Sequence, residues 1–239
     1  MNIAMIFAGG TGKRMQSKAI PKQFLELYNK PIIIYTLEQF ENNDEIDGIV
    51  VSCLEEWIPR LNRMIQRFHI TKVTGVVPGG STGQESIYNG LKKVKELYPE
   101  EDTVVLIHDG VRPLIDDETI AANIESVKTR GNAITVTPAI ETIIRENESN
   151  RIETIIDRKE CRMARAPQSF YLKDILSAHE KALADGSGSF IDSATMMKHY
   201  GYELYTVDGP VNNIKITSPI DFHIFKALLD AENSMQAMG

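Results

Sequence analysis

The chain has 239 residues, 42% of them hydrophobic and 25% charged, and a formal net charge of −7. One α/β domain of this length can bury an ample core, and no apolar run approaches the ~20 residues that span a bilayer. The acidic balance leaves no basic stripe for nucleic acid, so an anionic ligand must be held by a local group of cations and amides.

In chain order, the hydrophobic patterning predicts a strand at Ile3–Ala8, a helix at Ile32–Glu41, a strand at Gly48–Cys53 and a helix at Glu56–Arg67. There follow a strand at Lys72–Val77, a helix at Gln84–Leu97, a strand at Val104–His108, a helix at Glu118–Lys128 and a strand at Ala133–Thr137. The stretch Glu141–Arg158, "ETIIRENESNRIETIIDR", breaks this rhythm with two β-branched runs around an Asn-rich turn, and reads as an inserted hairpin arm. Helices at Leu172–Leu183 and Ala194–Tyr200, a strand at Glu203–Val207 and a helix at Pro219–Ala231 complete the chain. Such alternation gives an α/β fold with a mostly parallel sheet and helices on both faces. A two-stranded arm is marginal in water and is expected to pack on something; a symmetry mate is its economical cover, so a homodimer is expected, with packing on its own domain the alternative.

Cys53 and Cys161 lack zinc or disulfide spacing, and the opening residues lack the basic and apolar regions of a secretion signal. A reducing, cytoplasmic setting is expected.

The first predicted strand runs into "IFAGGTGKRM", Ile6–Met15. A Gly-rich turn after a strand lets successive backbone N–H groups cradle phosphate. Two familiar versions fit poorly. A P-loop needs glycine where Phe7 stands and Ser or Thr where Arg14 stands; a dinucleotide fingerprint needs glycine at Met15. By itself, the Gly9–Gly12 stretch is equally compatible with a structural turn.

The segment "PKQFLEL", Pro21–Leu27, comes soon after this loop. Together the two resemble the sugar-nucleotide pyrophosphorylases, and within them the cytidylyltransferases acting on methylerythritol 4-phosphate and ribitol 5-phosphate. Further matching segments follow in register: "PGGSTGQESIYNGL" (Pro78–Leu91), "VLIHDGVRP" (Val105–Pro113), "APQSF" (Ala166–Phe170) and "NIKIT" (Asn213–Thr217). The pair Glu141-Thr142 and the pair Asp157-Arg158 occupy the family's substrate-contacting arm.

The resemblance implies one Rossmann-like nucleotidyltransferase domain over residues 1–239, with a dimerisation arm at about 141–158. It implies transfer of CMP from CTP to a polyol or sugar phosphate, with loss of pyrophosphate. A phosphate monoester is already an anionic nucleophile, so charge neutralisation and in-line positioning would carry the catalysis without a general base. Arg14, Lys22 and Lys215 are the implied catalytic cations. Ala8, Gly9, Gly10, Thr11, Gly12, Lys13, Gly79, Gly80 and Ser86 are the implied CTP-binding residues. Asp109, at a strand's carboxyl end, would hold Mg²⁺ beside the CTP phosphates and meet the acceptor's hydroxyls. Arg112, Thr142 and Arg158 would bind the acceptor, Arg158 by a bidentate fork on its phosphate. His108 has no second histidine at ligand spacing and reads as structural.

The chain departs from the family pattern at Gly83, where an arginine is usual, and at Glu141, Ala166 and Ile191, where the family carries Asp, Thr and Thr. The last three lie in or near the acceptor side, while the nucleotide side is mostly kept. Ribitol 5-phosphate is therefore the expected acceptor, with methylerythritol 4-phosphate the alternative. A non-catalytic nucleotide sensor would have no need of both Lys22 and Lys215.

Overall fold

The computed structural model describes residues 1–10, 20–187 and 190–238. Strand β1 (Asn2–Ala8) sends Ala4, Ile6 and Ala8 into one core and Ile3 and Met5 into the other. Burial on both faces explains why successive residues of this run are apolar. A small ribbon of β2 (Glu26–Leu27) and β3 (Lys30–Pro31) leads into α1 (Ile32–Glu41). Then come β4 (Gly48–Cys53), α2 (Ile58–Arg67), β5 (Val73–Pro78), α3 (Gly83–Leu97), β6 (Val104–Asp109), α4 (Asp117–Arg130) and β7 (Asn132–Pro138). The arm is β8 (Ile143–Glu146) and β9 (Ile152–Ile156); β10 (Arg162–Tyr171), α5 (Leu172–Ala184), α6 (Ser193–His199), β11 (Thr206–Asp208) and α7 (Pro219–Met238) follow.

The seven-stranded sheet has the order β11-β7-β10-β6-β1-β4-β5. Its pairs are parallel except those of β10, which runs antiparallel to both β6 and β7. Helices α1, α2 and α4 cover one face, and α3, α5 and α6 the other. From α7, Phe225 packs into a third cluster with Leu27, Ile32, Val111 and Ile216. The chain runs outward from β1 through β4 to β5, then returns to β6 on the opposite side of β1. This reversal opens a crevice at the carboxyl ends of β1 and β6, the position where open α/β sheets hold ligands.

The mostly parallel sheet agrees with the sequence pattern, and the arm forms where its turn residues place it, with Asn147 accepting from the Ser149 and Arg151 N–H groups. Ile152 and Ile155 on that arm are exposed. Strand β10 was not expected, because Pro167 argues against a central strand. The pairing with β7 is irregular between Ala164 and Gln168, so the proline sits where the ladder is interrupted. Buried Asn123 of α4 fixes this strand to its neighbour: it donates to Thr135 Oγ1 of β7 (2.9 Å) and accepts from Ser169 Oγ of β10 (2.9 Å). The last strand begins later than expected. The Asn132 side chain takes the Glu203 carbonyl (2.7 Å) and the Tyr205 N–H (2.9 Å), supplying by side chain what a ladder would otherwise supply.

Candidate functional site

At the end of β1 the Ala8–Gly10 turn is clamped by Gln23, which is 1% exposed and donates to the carbonyls of Ala8 (2.7 Å) and Gly10 (3.2 Å). Gln23 belongs to a short 3-10 turn, Lys22–Phe24, anchored by stacking of Phe24 on Trp57 with ring centroids 4.5 Å apart. The same turn lays Lys22 along Gly10, where a Cβ would stand 3.7 Å from Lys22 Cε. Gly9 and Gly79 converge on Ser86; a Cβ on either would lie 3.0 Å from its hydroxyl oxygen. Ser86 Oγ donates to the Thr82 carbonyl (2.8 Å) and accepts from the Gly80 N–H (2.8 Å). Thr82 in turn caps α3 by accepting from the Glu85 N–H at 3.1 Å. Small residues, one hydroxyl and a capped helix thus bring the two Gly-containing turns together.

Beside them, both oxygens of Asp109 are engaged by cations: Arg112 Nε donates to Oδ2 at 2.8 Å and Lys215 Nζ to Oδ1 at 2.6 Å. Burial alone would raise the Asp109 pKa, but the charges of Lys215 and Arg112 more than reverse it and hold the carboxyl well below the usual carboxylate range. Arg112 is itself oriented, since its Nη1 donates to the Asn213 carbonyl (2.8 Å) while Asn213 Nδ2 donates to the Ala166 carbonyl (2.9 Å). Lys215 is delivered by its neighbour Ile216, which is fully buried and donates its N–H to the Val111 carbonyl at 2.9 Å. The His108 ring meets the Arg112 carbonyl at 3.0 Å and packs edge-on against Phe40. Burial pushes this imidazole down to about 4, so it is a neutral strut.

A cleft of about 460 Å³ opens over these groups, lined by Asp109, Arg112, Arg165 and Lys215 among polar residues and by Ile87 and Met196 among apolar ones. Ala166 lines it as a buried residue, and Ile191 as one that is 94% exposed. His179 of α5 also lines it while only 2% exposed; it stacks on Tyr88, and its Nε2 has no partner among the described residues. Burial pushes His179 down to about 4. Among the described residues no group of three His, Cys, Asp or Glu gathers to cage a metal.

The structure therefore brings Ala8, Gly9, Gly10, Gly79, Gly80 and Ser86 together, with Lys22 alongside Gly10. It gathers Asp109, Arg112 and Lys215 into one ion cluster. Thr142 and Arg158 lie on and beside the arm, outside the cleft lining, and Arg158 Nη1 donates to the Ile140 carbonyl at 3.2 Å. Thr11, Gly12, Lys13 and Arg14 fall outside the described residues. Sequence reasoning gave no role to Gln23 or Asn213, although they lie one and two residues from the expected lysines. Nothing in the sequence singled out Arg165.

The family model for 2-C-methyl-D-erythritol 4-phosphate cytidylyltransferase, IspD, matches residues 2–231. A ribitol-5-phosphate cytidylyltransferase from Vibrio parahaemolyticus is 55% identical over 239 residues, covering 100% of both chains. A 2-C-methyl-D-erythritol 4-phosphate cytidylyltransferase from Clostridium botulinum is 37% identical over 229 residues, covering 96% of this chain and 97% of the other. Among solved structures, 4-diphosphocytidyl-2C-methyl-D-erythritol synthase from Anaerococcus prevotii superposes with a TM-score of 0.82 at 24% identity, over 96% of this chain and 98% of that one.

The depressed His179 pKa has a definite sign. Its stabilising contribution is complete above the ordinary histidine value near 6.5 and is lost as pH falls towards about 4. Across that window the unfolding free energy should fall by up to about 1.4 kcal/mol per pH unit from this residue. Urea titrations of the unmodified protein and His179→Leu at several pH values should differ in slope by that amount; parallel profiles would mean that His179 charges freely in the fold.

Proposed function

This chain belongs to the 2-C-methyl-D-erythritol 4-phosphate cytidylyltransferase (IspD) family, and from that premise we propose that its acceptor is ribitol 5-phosphate and its product CDP-ribitol, a precursor for surface polysaccharide. The chain is a CTP-dependent cytidylyltransferase. The observation that carries the choice of acceptor is the full-length 55% identity to a ribitol-5-phosphate cytidylyltransferase, against 37% to a methylerythritol enzyme. Ala166 and Ile191 in the cleft lining support the same choice. With no hydroxyl at either position, a branched tertiary alcohol loses a partner there, at a cost of about 1–3 kcal/mol. A linear polyol can direct its hydroxyls to Asp109 and Arg112 instead.

In the reaction, an oxygen of the acceptor's phosphate forms a bond to the α-phosphorus of CTP. The bond from that phosphorus to the β-phosphate oxygen breaks, and pyrophosphate leaves with its electron pair. Lys215 and Lys22, with Arg14 and Lys13 of the loop, neutralise the charge that builds on the phosphates. The Ala8–Gly9 and Gly79–Gly80 backbone, with Ser86, receives the cytosine, and the close approach of Gly9 and Gly79 to Ser86 supports a slot sized for a pyrimidine. Thr11 and Gly12 continue the phosphate cradle.

Asp109 suits Mg²⁺: it stays ionised, borders the cleft, and retains a free lone pair on each oxygen beside its two cations. One carboxylate with phosphate oxygens and water is a usual Mg²⁺ environment, and the ion would supply further charge neutralisation. The whole chain, 1–239, serves as one domain, working in the cytoplasm as a homodimer through the arm at about 141–158. Exposed Ile152 and Ile155 support a covered arm. Exchange about a two-fold axis would carry Thr142 and Arg158 to the neighbouring subunit's acceptor.

Pyrophosphate release with CTP and a panel of polyol phosphates tests the acceptor. The expected result is a higher kcat/KM for ribitol 5-phosphate than for methylerythritol 4-phosphate, abolished by excess chelator. A preference for methylerythritol 4-phosphate would reverse the acceptor, and full activity in chelator would remove Mg²⁺ from Asp109.

Sedimentation tests the arm. The full-length protein should run as a dimer at micromolar concentration, and deletion of Asn147–Asn150 should give monomers with weakened acceptor use and intact CTP binding. A monomeric full-length protein would contradict the exchanged arm.

A further inference from the structure

The cleft holds a guanidinium that none of the roles above uses. Arg165 of β10 lines it together with Arg112, and donates Nε to Thr137 Oγ1 at 3.3 Å. Among the described residues no carboxylate pairs with Arg165. The two acids lining the cleft are already committed. Asp109 is held by Arg112 and Lys215, while Asp192 accepts from Gln168 Nε2 (2.9 Å) and caps α6 at the Thr195 N–H (2.8 Å). Arg112 spends Nε on Asp109 and Nη1 on the Asn213 carbonyl, and its Nη2 has no partner among the described residues. Both terminal nitrogens of Arg165 are in the same condition.

Burial, with the neighbouring charge of Arg112 adding to it, holds the Arg165 guanidinium below its ordinary pKa. Arg112 is buried and already paired with Asp109, whereas half-buried Arg165 brings to the same cleft a positive charge with no acidic partner among the described residues. Guanidinium forks match the geometry of phosphate oxygens, which makes a phosphate monoester the fitting anion.

We propose that Arg165 and the free edge of Arg112 complete, together with the arm's Arg158 from the neighbouring subunit, the seat of the acceptor's phosphate, the group whose oxygen attacks CTP. The proposal rests on the cytidylyl-transfer reading above and adds to it a binding residue on the subunit's own β10. The seat adjoins Asp109 and Lys215, so a phosphate held there lies at the edge of the ion cluster that meets the α-phosphate. Arg165 fixes where the nucleophile stands and discriminates for a phosphorylated polyol over the free polyol.

Steady-state kinetics on the full-length protein separates this role from a structural one. Losing a charge-assisted hydrogen bond costs about 10–100-fold in affinity, so Arg165→Gln should raise KM for ribitol 5-phosphate by that factor and leave KM for CTP unchanged. Arg165→Lys, which keeps the charge without the fork, should fall between the two. An unchanged acceptor KM, or a parallel rise in KM for CTP, would overturn the proposal. Should the unmodified protein release no pyrophosphate with ribitol 5-phosphate, the acceptor reading fails on its own. Inorganic phosphate then judges the seat: a smaller thermal shift by phosphate in Arg165→Gln supports it, and an equal shift in both proteins refutes it.

Discussion

The site is organised around one carboxylate with two cations. Asp109 lies at the end of a central strand with its side chain 15% exposed, and a charge in that position is tolerated only when it is paired and hydrogen-bonded. Arg112, three residues on, and Lys215, from a distant segment, satisfy it together. Meeting that requirement draws the Asn213–Thr217 segment against Val111 and sets Asn213 under Arg112. In the proposed reaction the incoming phosphates compete with Asp109 for these cations. Asp109 thus keeps Lys215 and Arg112 ordered at the cleft before substrate arrives, and their ordering entropy is met by folding and not by binding.

The second constraint is spatial. Two glycine turns from separate strands reach the same serine only because neither carries a side chain, and Ser86 is fixed by its own helix start. Gln23 adds the third point by holding the carbonyls of Ala8 and Gly10. Nucleotide side and ion cluster are therefore mounted on adjacent strands, β1 and β6, whose register pairs Phe7 with Asp109.

Much of this was legible from residue pattern. The buried parallel strands are short apolar runs, and the helices between them have matching amphipathic spacing, so β4 and α1 occupy the residues expected of them. Lys215 stood out because a cation inside an apolar run has to point somewhere other than the core. Strand β10 was hidden because Pro167 and two arginines are unlike a central strand, and only the sheet shows that the strand lies between β6 and β7. Arg165 was hidden for the same reason, because its meaning lies in the long-range approach to Arg112. Asn132 and Asn123 act across pairs distant in sequence, which periodicity does not register.

The most direct measurement of the central claim is turnover by Lys215→Ala with CTP and whichever polyol phosphate the unmodified protein uses best. Removing a well-placed charge stabiliser typically lowers the rate by about 10²–10³, and that loss is expected here with the fold retained. Turnover close to that of the unmodified protein would contradict the account, since the Asp109–Lys215 pair would then be a structural ion pair beside a site that works without it.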